Sequence, residues 1–136
     1  MAFHAYLFFG KECRDAFTRY REIFGGELTL ISMKDAPSDE PVPADKADLI
    51  IHAALVTTDG VLMGSDDPMT DDFGPVQGMM VSTSAPDAGE AKRIFDALAE
   101  GGNLTQPLIE TFFSPAFGMC TDRFGTPWMI VADQPA

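Results

Sequence analysis

Two segments of this 136-residue chain match each other at a fixed offset of 75 residues. In DAFTRYREIFGG, Ala16, Tyr20, Ile23 and Gly26 stand at the spacings that Ala91, Phe95, Leu98 and Gly101 take in EAKRIFDALAEGG. Each segment gathers its apolar residues on one helical face, follows a short strand-like run and stops at a glycine pair. A unit of half this length does not usually bury its apolar face alone, so the repetition predicts two similar halves folded against each other around a shared cleft.

The remaining elements fall in the same order within each half. Residues 3–9 are rich in aromatics (Phe3, Tyr6, Phe8, Phe9) and read as a strand. Residues 12–24 form the first helix, and Leu28, Leu30 and Ile31 mark a second strand. The stretch KDAPSDEPVPADKAD, residues 34–48, has loop composition. Two apolar runs then flank Thr58-Asp59-Gly60, where Asp-Gly signals a hairpin turn. In the second half, residues 76–83 read as a strand, and Asp87 with Glu90 three positions on marks the start of a helix over 88–100. Leu104 opens a short strand that breaks at Gln106-Pro107, and a second hairpin turns at Asp122-Arg123-Phe124-Gly125.

Each half thus reads β-α-β-β-β. The predicted fold class is α+β: a single domain over 1–136, with a first module over about 1–67 and a second over about 76–134. Mainly antiparallel strands would place the helices outside, and the opposite sheet faces would curl around a pocket.

Charge narrows the partners. With 21 acidic against 9 basic residues, the net charge of −12 repels phosphate backbones, which excludes nucleic acid as a partner. No apolar run approaches the roughly 20 residues of a membrane-spanning helix, and the N-terminus lacks the basic segment and cleavage site of a signal peptide. The expectation is a soluble, cytoplasmic protein. Cys13 and Cys120 form no disulfide framework; Cys120 reads as a small hydrophobe, whereas Cys13, near a helix start, stands where the helix dipole lowers a thiol pKa. No P-loop, nucleophile elbow, HExxH or glycine-rich strand-to-helix turn is present.

Candidate site residues come from the strands and hairpins. Phe113, Phe117 and Trp128 are aromatics that can line an apolar pocket or fill the core, and Trp128 is favoured for the pocket wall because its indole N–H wants a partner. Met63, Met79, Met80, Met119 and Met129 would add a soft, adaptable surface. His52, between Ile51 and Ala53, reads as a hydrogen-bonded wall or core residue. Ser65 and Asp66, at a strand end ahead of an acidic loop, can present a polar rim.

Taken in order, CRDAFTRYREIFGGE, then IIHAAL with VLMGSD, then TFFSPAFGMCTDRFGTPWMI resemble the vicinal oxygen chelate superfamily, which includes glyoxalase I and the bleomycin-resistance proteins, and within it the PhnB-like branch. The resemblance implies paired βαβββ modules, a cup-shaped sheet and a homodimer. In metal-dependent members, ligands come from the first strand of each module and from a carboxylate near the end of its last strand. Carried onto this chain, those positions fall at His4, at Met79 with Gln77 beside it, at Ser65 or Asp66, and at Met129. A divalent centre of this kind needs about three N, O or S ligands plus an open position. With methionine at two of the positions, the resemblance implies a protein that binds a small molecule in an apolar cup, lined by His4, His52, Ser65, Asp66, Phe113, Phe117 and Trp128, with no metal or other cofactor. The alternative it leaves is a metal-dependent lyase, isomerase or dioxygenase with His4 as one ligand of a divalent metal.

Overall fold

The computed structural model describes residues 2–36, 41–67 and 76–134. Its contacts divide the chain into two compact units, residues 1–74 and 75–136.

The first unit runs β1 (Ala5–Phe9), α1 (Cys13–Phe24), β2 (Glu27–Ser32), β3 (Ile50–Val56) and β4 (Val61–Asp66), with short 3-10 turns at Met33–Asp35 and Ala44–Lys46. The sheet order is β1-β4-β3-β2. β1 runs parallel to β4, which the helical crossover makes possible, and the other neighbours are antiparallel. Cys13, Ala16, Phe17, Tyr20 and Ile23 are buried along α1, the face that the 3.6-residue period marks out. They pack on the sheet where Gly64 opens a seat for Phe17: a Cβ built on Gly64 would lie 2.8 Å from Phe17 Cε2 and 2.7 Å from the Leu7 carbonyl oxygen. Gly25, at φ 73°, ends the helix in the left-handed region and its N–H donates to the Arg21 carbonyl at 2.8 Å.

The second unit repeats this plan as β5 (Val81–Ala85), α2 (Ala88–Ala99), β6 (Asn103–Ile109), β7 (Phe117–Thr121) and β8 (Pro127–Ala132), in the order β5-β8-β7-β6. Asp87 caps α2 as its sequence pattern predicts, its Oδ1 accepting from the Glu90 N–H at 2.8 Å. Glu90 does not reach back to complete a capping box; its carboxylate takes Arg93 one turn on. Here too a glycine seats a helix aromatic, since a Cβ on Gly118 would lie 2.8 Å from Phe95 Cε2.

Three details differ from the sequence reading. The strand expected over 76–83 begins at Val81, because Gly78 sits at φ 80° and interrupts the extended backbone. β6 passes through Gln106-Pro107 instead of stopping there; it is an edge strand, where a missing N–H is tolerated, and its register shifts on both sides of Gln106. The Asp59-Gly60 hairpin forms, but not through positive φ angles. The Thr57 hydroxyl accepts the N–H groups of Asp59 and Gly60, at 3.3 and 3.1 Å, and holds the loop. The part of the acidic stretch over 68–75 lies outside the described residues.

Candidate functional site

Side chains alternate across a strand, so each sheet has a helix-covered face and a far face. In the first unit Leu7, Ala53, Gly64 and Asp66 take the α1 side, while Tyr6, Phe8, His52, Ala54, Met63 and Ser65 take the far side. Ile31 joins the far side, in register with His52. The far face carries polar aromatic chemistry that the sequence reading only partly selected. Tyr6 Oη lies 3.3 Å from His52 Nδ1, and the two rings stack at 5.9 Å between centroids with 30° between planes. Phe8 leans on Tyr6 at 5.2 Å, tilted 47°. In sequence Tyr6 reads as a strand aromatic that, like Thr111 and Gln106, could bring a polar group to the cleft; its pairing with a histidine 46 residues away depends on β1 and β3 both flanking β4.

Of the predicted residues, His4 is exposed just ahead of β1, His52 is half-buried on β3, and Ser65 is buried on the far side of β4 opposite Phe8. Asp66 is also buried but points the other way. Its Oδ1 accepts the Cys13 N–H at 3.0 Å and its Oδ2 the Ile50 N–H at 2.9 Å, so it serves α1 and β3 and not a far-face rim. Glu12, at the cap position of α1, makes no side-chain cap bond; Asp66 supplies from across the sheet the acceptor that the helix N-terminus needs. Trp128 is the second correction. It is 2% exposed and shares the α2-covered side with Cys120 and Ile130. The partner its indole wanted is Asp122, whose Oδ2 accepts the Nε1–H at 2.9 Å while Oδ1 takes the N–H groups of Phe124 and Thr126. This is a buried hairpin clamp. Phe113 and Phe117 do come together, edge to face at 5.3 Å, and Phe112 extends the row by a further edge contact at 5.2 Å. That row belongs to the second unit.

The registers also revise the correspondence between modules. The helices stand 75 residues apart (Cys13 to Ala88), but the first strands stand 76 apart (Ala5 to Val81), since the connection into α2 is one residue shorter. His4 therefore corresponds to Met80, not Met79, and Gln77 lies outside the strand. Met63 and Met129 correspond to each other on the far sides of β4 and β8. His52 corresponds to Phe117 and Tyr6 to Ser82, so the tyrosine–histidine pair occurs in the first unit and not at the matching positions of the second. Among the described residues, no three His, Cys, Asp or Glu side chains gather where they could hold a metal ion.

The cysteines are not nucleophiles of the kind a helix start would favour. Burial pushes the Cys13 thiol up to about 12, helped by the nearby Asp66 charge and opposed by Arg14. Cys120 is pushed up to about 11, again by burial first and Asp122 second. Both thiols are therefore protonated at neutral pH in the folded chain. A thiol reagent at pH 8 should label native protein at least about 100-fold more slowly than urea-unfolded protein, and equal labelling rates would refute this placement. The sign for stability follows: the unfolded thiol ionises first, so the stabilising preference for the neutral form is whole below about pH 9 and is lost as pH rises toward 12.

Comparison with known proteins accords with this geometry. A family model described as 3-demethylubiquinone-9 3-methyltransferase matches residues 1–131. The chain belongs to this PhnB-like family. The Escherichia coli (strain K12) protein YjdN is 32% identical, over 99% of both chains. The crystal structure of PA1353 from Pseudomonas aeruginosa superposes with a TM-score of 0.89 at 39% identity, covering 99% of each chain. A Bacillus cereus PhnB protein, described as a putative 3-demethylubiquinone-9 3-methyltransferase, gives 0.77 at 23% identity, covering 97% of this chain and 99% of that one. A glyoxylase/bleomycin resistance protein/dioxygenase domain from Frankia sp. gives 0.66 at 16% identity over 98% of each chain, a likeness of fold. The α+β fold class of the vicinal oxygen chelate proteins is thus the fold of this chain.

Proposed function

We propose that this PhnB-like protein binds a small molecule at the far face of its first sheet without completing the superfamily's divalent-metal site. The observation that carries the reading is the Tyr6–His52 contact. It places two hydrogen-bonding groups on a face whose other members include the exposed side chains of Phe8 and Ile31. A polar pair set in an apolar surface orients a ligand while the surrounding carbon supplies affinity. The donor set supports the metal-free part: His4 is a single imidazole, and thioethers stand at Met80 and Met129 where nitrogen or carboxylate ligands would be needed. The methyltransferase wording of the family gains no support from the connections into the helices, Gly10-Lys11-Glu12 and Pro86-Asp87, which lack a glycine-rich cofactor turn. The homodimer implied by resemblance is part of the same reading, and Phe112, 95% exposed, is the kind of residue a second copy would cover. A cytoplasmic location belongs to it as well.

The test is a thermal-shift screen of small organic compounds on wild type and His52→Ala. A true ligand at 100 times its dissociation constant stabilises the chain by about 2.7 kcal/mol, and His52→Ala should remove most of that shift while leaving the unliganded melting temperature within about 2 °C. A shift that survives both His52→Ala and Tyr6→Ala would place the ligand elsewhere. Elemental analysis of untagged protein addresses the other part: near-stoichiometric zinc, iron, manganese or nickel, lost on His4→Ala, would overturn the metal-free reading and favour the metal-dependent lyase, isomerase or dioxygenase.

A further inference from the structure

We infer that the Tyr6–His52 face takes a neutral aromatic ligand bearing a hydroxyl, the chemistry of a phenol. The inference rests on the binding reading above and goes further by naming the class.

Shape is the first argument. The Tyr6 and His52 rings lie only 30° apart in plane, and Phe8 stands beside Tyr6, so the exposed surface is built of ring faces and edges. Phe8 is 59% and Tyr6 38% exposed, which leaves ring surface for another ring to cover. Flat partners gain offset-stacked or edge contacts there beyond their simple area burial.

Hydrogen bonding is the second. Tyr6 Oη and His52 Nδ1 satisfy one another, and among the described residues His52 Nε2 has no protein partner. If Oη donates to Nδ1, Nε2 carries the proton and donates to the ligand; if Nδ1 donates to Oη, Nε2 accepts from it. A hydroxyl both donates and accepts, so it satisfies either tautomer.

Charge is the third. Besides His52 itself, the neighbours on this face are Thr29, Ile31, Ala54, Met63 and Ser65, none of them carrying a fixed charge, and His4 stands exposed just ahead of β1, two residues before Tyr6. Glu27 shares the face only at the other end of β2, four residues from Ile31 or about 13 Å along the strand. Asp66 lies on the opposite side. A carboxylate ligand would be desolvated there with no Lys or Arg among these strand positions to receive it, in a chain of net charge −12. A quaternary ammonium ligand would meet ring faces but no carboxylate.

Asymmetry is the fourth. Ser82 and Phe117 occupy the matching register positions of the second unit, which therefore lacks this polar pair. One such site per chain follows.

The experiment titrates full-length protein with p-cresol, toluene, cyclohexanol, benzoate and benzyltrimethylammonium, by calorimetry and by amide chemical-shift mapping. The expected result is that p-cresol binds once per chain, perturbs β1 and β3, and binds more tightly than the other four. Tyr6→Phe, which keeps the ring and the strand propensity, should weaken p-cresol about 3- to 10-fold, the effect of freeing one hydrogen-bonding partner, and leave toluene unchanged. His52→Phe should bring p-cresol down to the toluene affinity; if that variant does not fold, Tyr6→Phe decides. Benzoate, benzyltrimethylammonium or cyclohexanol binding at β1 and β3 as tightly as p-cresol would overturn the class while leaving the binding face intact. Perturbation of β1 and β3 by none of the compounds, in a chain that responds elsewhere or not at all, would overturn the face itself.

Discussion

Asp66→Ala should cost this protein about 3–5 kcal/mol of unfolding free energy, a large share of the roughly 5–15 kcal/mol a domain possesses. The carboxylate is 3% exposed and accepts two backbone donors, the Cys13 N–H at the start of α1 and the Ile50 N–H at the start of β3. Alanine strands both donors in a region where water does not replace the lost acceptor, and a stranded buried group costs more than an average hydrogen bond is worth. Asp66→Asn should fall between the two, because its amide retains one acceptor oxygen for the two donors. Urea denaturation followed by circular dichroism measures the series. A loss below about 0.5 kcal/mol for Asp66→Ala, the scale of an ordinary surface substitution, would show that the helix start is held in another way.

The second large effect is expected at Trp128. Trp128→Ala removes the largest fully buried side chain and should cost about 3–5 kcal/mol. Trp128→Phe isolates the polar part: most of the volume stays, but Asp122 Oδ2 loses the indole donor and about 1–3 kcal/mol should go with it. Both variants should leave ligand preference at the Tyr6–His52 face unchanged, because Trp128 lies on the α2-covered side of another sheet. A Trp128→Phe variant with full stability and altered ligand binding would reverse this assignment and return Trp128 to a pocket wall. As the chain has a single tryptophan, wild-type fluorescence reports directly on loss of this packing.

These two residues also mark the boundary between what could be read from the chain and what could not. By type both are site candidates in the sequence: Asp66 is a strand-end carboxylate and Trp128 an indole in need of a partner. The type was informative, since each does make buried hydrogen bonds, but direction was missing. One residue of strand carries a side chain from one sheet face to the other, so neighbouring Ser65 and Asp66 serve opposite sides of β4. Only the pairing with β1 and β3, anchored by Phe17 over Gly64, says which side is which. For Tyr6 the sequence offers a polar group for the cleft but no partner. Its histidine is 46 residues distant, and no local pattern announces a contact made across an intervening strand.

By itself the sequence determined the elements and their order: the duplicated helix with its 3.6-residue apolar stripe and glycine stops, the Asp87 cap, the two hairpins and the βαβββ count. These are local signals, set by periodicity, capping and turn chemistry within a few residues. Tertiary structure alone decided the 76-residue strand offset that pairs His4 with Met80, the inward roles of Asp66 and Trp128, the silence of both thiols and the meeting of Tyr6 with His52. Each of these depends on strand register or burial, which are set by contacts between residues far apart in the chain.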